Sequence, residues 1–315
     1  MCRGVPRQAG RVARLRGGGK GLSDPLWGKQ GAVRKLLMKL ERAARLDRIS
    51  DPLQRGVNRA FGPKRIRDAL HGVWLGHPLH PALVQLPIGA WMSAAVLDAM
   101  PGQERAARKL IALGTAAAVP TGITGLNDWA SLAREQRRVG LVHALSNSIG
   151  IACYVGSLRA RARGRVGLGR ALAYLGLTAA TGGAYLGGHL AYKQAAAVNQ
   201  SVPTLRRITE GWHPLVEVDA VPEGKLIRKE LGEVPVLIYR NGDQFTVMLA
   251  RCAHQNGPLE YGKIISSNGH ACVVCPWHGS TYRLSDGAVA AGPAATDQQV
   301  LRSRVTNGTL EAQLP

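Results

Sequence analysis

Acidic residues are scarce in this chain. Its 315 residues include 20 Asp and Glu against 41 Lys and Arg, a formal charge of +21. The shortage is local. Residues 208–315 carry 11 acidic and nine basic side chains, whereas residues 1–207 carry nine and 32. A strongly basic chain can point to nucleic acid. Here the cations sit in an N-terminal tail and between apolar segments, which fits a protein beside anionic lipid, and no nucleic-acid partner is expected. Cysteine is also sparse. Cys2, Cys153, Cys252, Cys272 and Cys275 form no disulfide framework by spacing, which excludes a secreted disulfide scaffold. The N-terminus lacks the apolar core of a signal peptide and a twin-Arg motif. Cys2 follows no apolar run, so a lipoprotein signal is not expected.

The length allows two domains at about 150 residues each. Residues 1–28, rich in Arg and Gly, read as a disordered basic tail. Residues 29–70 set Val33, Leu37, Leu40, Ala44, Leu46, Ile49 and Leu53 at helical spacing among Arg and Lys. They read as amphipathic helix on a membrane surface, broken near Pro52 and Pro63, or as ordinary helices on a bundle. Four apolar stretches follow, near 79–100, 110–127, 139–158 and 168–190. Each approaches the roughly 20 residues that cross a hydrocarbon core, and each is rich in the small residues that let helices approach closely in lipid. A soluble helical bundle is the alternative. Residues 71–195 are therefore expected to be a four-helix transmembrane domain and 196–210 a linker. From 211 the texture changes to short Val/Ile/Tyr-rich runs, such as Val236–Tyr239, Phe245–Leu249 and Ala271–Val274, separated by Asn-Gly and Asp-Gly turns. The expected fold is multi-domain: an α-helical four-span membrane bundle followed by a small all-β antiparallel sandwich or barrel at 211–315.

The last domain holds the most specific motif. Cys252-Ala-His254 is followed, after twenty residues, by Cys275-Pro-Trp-His278-Gly-Ser280. Two Cys and two His in paired loops can bind a [2Fe–2S] cluster, with two thiolates on one iron and two imidazoles on the other. They can also bind structural zinc. The Pro after Cys275, the Gly-Ser after His278, Tyr282 and Asp286-Gly287 argue against zinc. Residues 211–315, through Cys-Pro-Trp-His-Gly-Ser-x-Tyr-x-Leu-x-x-Gly, resemble a Rieske domain. The resemblance implies that Cys252 and Cys275 bind one iron and His254 and His278 the other. It also implies a ferredoxin-like branch: respiratory Rieske proteins link their two cluster loops by a disulfide, and the corresponding positions here are Gly257 and Trp277. Ser280 and Tyr282 supply hydroxyls that would raise the cluster potential. The twenty-residue gap implies a longer hairpin at Ser266–Gly269. Cys272 and His270 are expected to be structural.

The helical half carries phrases of its own: Gly76-His77-Pro78-Leu79-His80-Pro81, Asn127-Asp128-Trp129, His143 with Asn147, and Gly187-Gly188-His189-Leu190. They resemble a family of bacterial four-helix membrane proteins of unassigned function. Antiparallel spans would set His77, His80, Asp128, His143 and His189 at one membrane face, the face from which the β domain emerges. Polar groups there either cap helix ends or bind a b-type haem or second metal. Orientation cues conflict. Short-loop counting sets Arg105, Arg108, Lys109 and Arg159 to Arg170 in the cytoplasm, whereas the basic N-terminus and missing twin-Arg motif favour a cytoplasmic cluster.

The expected function is one-electron transfer by a membrane-anchored iron–sulfur protein between a redox donor and acceptor, with the His254 and His278 edge as an exposed docking point. The alternatives are a ferredoxin component of an oxygenase, a redox or iron sensor, and a zinc-binding structural membrane protein. Only 37 residues follow His278, too few for a catalytic oxygenase domain there.

Overall fold

The computed structural model describes residues 25–315, with side chains from residue 31. The expected basic tail lies almost wholly outside the described residues, as does Cys2. By packing, the chain divides after Leu40, and Glu41–Pro315 forms one unit.

Helix α1 spans Pro25–Glu41, α2 Asp47–Ala60 and α3 Lys64–His71. Pro52 does not break the second helix. Its ring forfeits one backbone bond, to the carbonyl of Arg48, and the turn survives that loss. Pro63 does mark a boundary, because its extended backbone (ψ 133°) cannot continue a helix and caps α3 instead. Both α2 and α3 pack on the bundle. Arg138 clamps Asp47 at 2.6 and 2.8 Å, Arg137 reaches Asp51 at 2.7 Å, Gln54 donates to the Ala130 carbonyl at 2.6 Å, and Val57 packs with Trp129.

The long helices come next: α4 Leu79–Leu83 running into α5 Gln85–Ala99, α6 Glu104–Ala130, α7 Arg134–Ala162 and α8 Val166–Gly188. Leu79–Ala99, Glu104–Ala130 and Arg134–Ala162 are long and apolar enough to cross a membrane. The 23-residue α8 has the length but is diluted by glycine, so among the described residues three of the four expected spans are both long and apolar enough. That glycine serves packing. A Cβ on Gly150 of α7 would lie 3.0 Å from the Gly176 carbonyl of α8, and one on Gly176 3.1 Å from the Gly150 carbonyl. The two backbones touch where neither has a side chain. Trp91 stacks on Tyr154 with centroids 4.3 Å apart at the centre of the helical core. The outward face is apolar: Leu86, Met92, Val96, Leu113, Val119, Leu145, Ile149 and Leu175 are exposed. A helix bundle in water would turn polar residues outward.

A π-helical turn over His189–Lys193 and the short helix α9, Val202–Leu205, lead into the β domain. This connection is no loose linker. Ile208 is buried in the β core, and the Gln200 N–H donates to the Ala253 carbonyl at 2.8 Å. Ten strands follow: β1 His213–Glu217, β2 Leu226–Leu231, β3 Val234–Asn241, β4 Gln244–Leu249, β5 Lys263–Ser267, β6 His270–Val274, β7 Thr281–Arg283, β8 Val289–Ala291, β9 Val300–Thr306 and β10 Thr309–Gln313. They form a six-stranded sheet ordered β1-β10-β9-β4-β3-β2 and a four-stranded sheet ordered β5-β6-β7-β8, antiparallel throughout. The expected hairpin near Ser266–Gly269 is the β5–β6 turn. Asn268 and Gly269 there take φ of 50° and 79°, the left-handed geometry of a two-residue turn. Two apolar clusters fill the domain, one centred on Val236 and Leu249, the other on Leu237, Met248 and Tyr282.

Candidate metal centre

Two loops build the site. The first leaves β4 and carries Cys252 and His254. The second joins β6 to β7 and carries Cys275 and His278. Each loop is closed by its own backbone. The Cys252 N–H donates to Gly257 O and the Asn256 N–H to Cys252 O, both at 2.9 Å. In the second loop the Cys275 N–H donates to Ser280 O at 2.8 Å and the Gly279 N–H to Cys275 O at 3.1 Å. Gln298 locks the first loop from β9's side. Its Oε1 accepts from the Ala253 N–H at 2.9 Å, and its Nε2 donates to the carbonyls of Leu249 and Arg251 at 2.6 and 2.8 Å. Sequence reasoning missed Gln298, because nothing local marks it.

The loops face each other. A Cβ on Gly257 would lie 2.6 Å from Cys275 Sγ and 3.4 Å from the Trp277 ring, so the two positions without a disulfide do oppose one another. Both cysteines are buried and free. The two thiols lie close enough to act on each other: Cys275 draws Cys252 below its usual range, and the same interaction, with burial, pushes Cys275 up. The Tyr282 hydroxyl also reaches Cys252 Sγ, at 3.2 Å. Ser280 Oγ accepts from the Ala294 N–H at 3.0 Å, so this hydroxyl is held by the backbone. The imidazoles of His254 and His278 meet edge to face, centroids 5.1 Å apart. Burial, then the neighbouring His278 and His71, lowers His254 to about 3, and partial burial lowers His278. Both rings are therefore neutral near pH 7, the form that binds metal.

The donor set fits a two-metal group. His254 Nδ1 is buried with no hydrogen-bond partner. A ring nitrogen cut off from water and from protein calls for another partner. Thiols pair with thiols and imidazoles with imidazoles. Two irons that each take two protein ligands, one a pair of thiolates and the other a pair of imidazoles, match this arrangement.

The two rings differ in access. His278 is exposed, as is Trp277 beside it, whereas His254 is 8% exposed. The expected exposed edge thus has one open and one covered histidine. The cover is the helical unit. His254 lines a small cavity with His71, Asp128, Leu132 and Ala197, and the adjoining Gln255 donates to Gln136 Oε1 of α7 at 3.2 Å. The Gly292 N–H donates to Asp68 Oδ1 of α3 at 2.9 Å. Cys272 is buried in β6, and His270 is exposed at that strand's start.

The polar residues of the helical half separate. His80 Nδ1 donates to Thr121 O at 2.9 Å, and His143 Nδ1 to Gly183 O at 2.7 Å. Asp128 pairs with His71 Nδ1 at 2.7 Å, a partner 57 positions away that sequence reasoning missed. His189 pairs with Glu41 at 2.8 Å, and His77 is exposed against its neighbour's carbonyl. His80, Asp128 and His143 line one cavity; His77 and His189 do not.

A family model described as Rieske [2Fe-2S] domain matches residues 211–303, and one described as predicted membrane protein (DUF2231) matches residues 76–200. The anthranilate 1,2-dioxygenase ferredoxin subunit of Burkholderia cepacia is 27% identical over 103 residues, 33% of this chain and 92% of that protein. A Rieske domain-containing protein of Homo sapiens is 38% identical over 52 residues, 16% of this chain and 33% of that protein. The solved ferredoxin of carbazole 1,9a-dioxygenase from Nocardioides aromaticivorans IC177 matches with a TM-score of 0.31 and 17% identity, covering 34% of this chain and 100% of that one. A Rieske domain with ferredoxin relatives implies a [2Fe–2S] cluster and electron transfer. Residues 211–303 are a Rieske [2Fe–2S] domain, preceded over residues 76–200 by a DUF2231 predicted membrane protein domain.

Proposed function

We propose that this protein is a membrane-anchored one-electron carrier in which Cys252 and Cys275 hold one iron and His254 and His278 the other. The observation that carries the reading is the pairing of two buried thiols and two neutral imidazoles across facing loops, with His254 Nδ1 left without a partner. The bound cluster would supply a single electron site. The protein's own residues do the rest. Tyr282 donates to Cys252 Sγ and so favours the more negative, reduced state. Leu237, Leu259 and Leu284 exclude water from the loop bases. The exposed His278 and Trp277 offer an edge to a protein partner, while His254 is turned to the helical unit. The relatives that are ferredoxin subunits of dioxygenases make an oxygenase component one candidate acceptor.

Membrane insertion is supported by the apolar outward faces of α5 to α8 and by the three helices of spanning length; α8 would be the fourth span. We place the cluster end in the cytoplasm. Helices α2 and α3 pack at that end and add Arg48, Arg55, Arg59, Lys64, Arg65 and Arg67 to Arg134, Arg137 and Arg138, nine cations against the eight of the opposite connectors, which tips the positive-inside balance. Digestion of the β domain by protease added to intact cells would overturn this orientation. The function itself is tested by metal analysis of the purified full-length protein. Two irons and two inorganic sulfides per chain are expected; stoichiometric zinc without iron would overturn the reading.

A further inference from the structure

A second cavity, of about 430 Å³, lies among α4 to α8. Its walls are mostly apolar, with Val84, Ile88, Trp91, Trp129 and Ile151 among them. Gly122, Ala144 and Ser148 line it and are also exposed on the outward face of the bundle. The cavity therefore opens sideways, where the surrounding surface is apolar. A molecule dissolved in lipid can enter there without crossing water.

The polar lining is fixed in a particular way. His80 gives its Nδ1 proton to the Thr121 carbonyl, which leaves Nε2 as an acceptor, and this nitrogen has no partner among the described residues. His143 gives its Nδ1 proton to the Gly183 carbonyl, and its Nε2 accepts from Asn147 Nδ2 at 3.2 Å. Asn147 Oδ1 is a further acceptor. A haem held between two histidines needs two unpartnered ring nitrogens, and of the two histidines that line this chamber, His80 and His143, only His80 offers one. The position of the cavity is equally specific. Asp128, Leu132 and Ala197 line both it and the small cavity that reaches His254, so one layer of residues separates the chamber from the cluster domain.

We propose that this cavity binds the ring of a lipid-soluble quinol or quinone, with His80 Nε2 accepting a hydrogen bond from one ring hydroxyl and Asn147 facing the other oxygen. The class follows from three requirements: solubility in lipid, ring oxygens that hydrogen-bond to fixed acceptors, and electron exchange with a neighbouring one-electron centre. Quinol and quinone differ by two electrons and two protons. Oxidation breaks both O–H bonds: His80 Nε2 takes the proton of the hydroxyl it holds, and the proton of the other hydroxyl is released to water. The two electrons would pass singly to the cluster domain, whose protein acceptor would remove each in turn. The electron destination rests on the function proposed above; the binding site does not.

The test uses full-length protein in lipid nanodiscs and decylubiquinone as the probe, read by quenching of tryptophan emission, since Trp91 and Trp129 line the chamber. Gly122→Leu and Ala144→Leu together plug the mouth; a Cβ at 122 meets nothing within 4 Å, so the fold is undisturbed there. Gly89→Leu, on the outward face and also unobstructed, is the control, and His80→Leu removes the acceptor. Saturable quenching that weakens at least about tenfold in the plugged and His80 variants, and is unchanged in Gly89→Leu, is expected; tenfold corresponds to about 1.4 kcal/mol. Equal, non-saturating quenching in all four proteins means partition into lipid only and overturns the proposal. A Soret band from haem in the chamber overturns it as well. Iron and sulfide content of the same samples reads the cluster separately. Binding without iron would sink the electron-transfer reading and spare the site; iron without saturable binding would do the reverse.

Discussion

At the scale of single residues, the candidate centre depends on what is missing from one position and present at another. Gly257 has no side chain because a Cβ there would lie 2.6 Å from Cys275 Sγ, closer than atoms pack. Gly257→Ala is therefore expected to lose most of its bound iron while keeping the β-domain circular dichroism; full iron occupancy would contradict the geometry. Tyr282 is 0% exposed and its hydroxyl is 3.2 Å from Cys252 Sγ. Removing a hydrogen bond of about 1 kcal/mol that favours the reduced state lowers a one-electron midpoint by about 40 mV. Tyr282→Phe should show that shift in a potentiometric titration with the cluster still present, and an unchanged midpoint would mean that the hydroxyl does not tune the site. The Cys and His spacing was legible in the sequence because all four donors sit in two short, locally closed loops. The burial of His254 was not, because the residues that cover it, His71 and Asp128, belong to elements far away in the chain.

At the scale of elements, the bundle is held by close glycine contact at its middle and by ion pairs near its ends. Asp98 of α5 is fully buried and pairs with Arg161 of α7, whose side chain is 3% exposed; one of the two bonds is 2.9 Å long. Arg161 also donates to Ser157 Oγ at 3.2 Å, so the guanidinium is fixed from two sides. Asp98→Ala leaves a buried cation uncompensated, which costs about 3–5 kcal/mol, whereas replacing both partners by apolar residues of similar volume is nearly neutral. Thermal unfolding of the full-length protein in detergent should rank Asp98→Ala well below wild type and the double variant Asp98→Leu/Arg161→Met close to it. Equal stability of the single variant would mean that the pair is solvated. The periodic long helices were read correctly from the sequence. The strand β2 was not: Leu226–Leu231 carries Arg228, Lys229 and Glu230, and its place beside β3 is decided by register pairing, not by apolar alternation.

At the scale of the whole chain, the Rieske domain is seated on the end of the helical unit. The contacts include Gln255 to Gln136, Gly292 to Asp68, Lys64 to Thr281, and the Gln200 N–H to Ala253. Together they turn one histidine of the candidate centre toward the helices and leave the other in solvent. That asymmetry gives a direction to a carrier, with one face toward the membrane chamber and one toward a protein partner. The sequence indicated both domains and their order, because each has its own periodicity and its own motif. It carried no sign of their docking, which rests on backbone groups and on glutamines that look unremarkable in any local window. The central claim is that four protein donors hold a diiron cluster in this domain. Electron paramagnetic resonance of the dithionite-reduced full-length protein tests it most directly: the account predicts a rhombic Rieske-type signal that integrates to one spin per chain, and a silent spectrum from protein carrying zinc would contradict it.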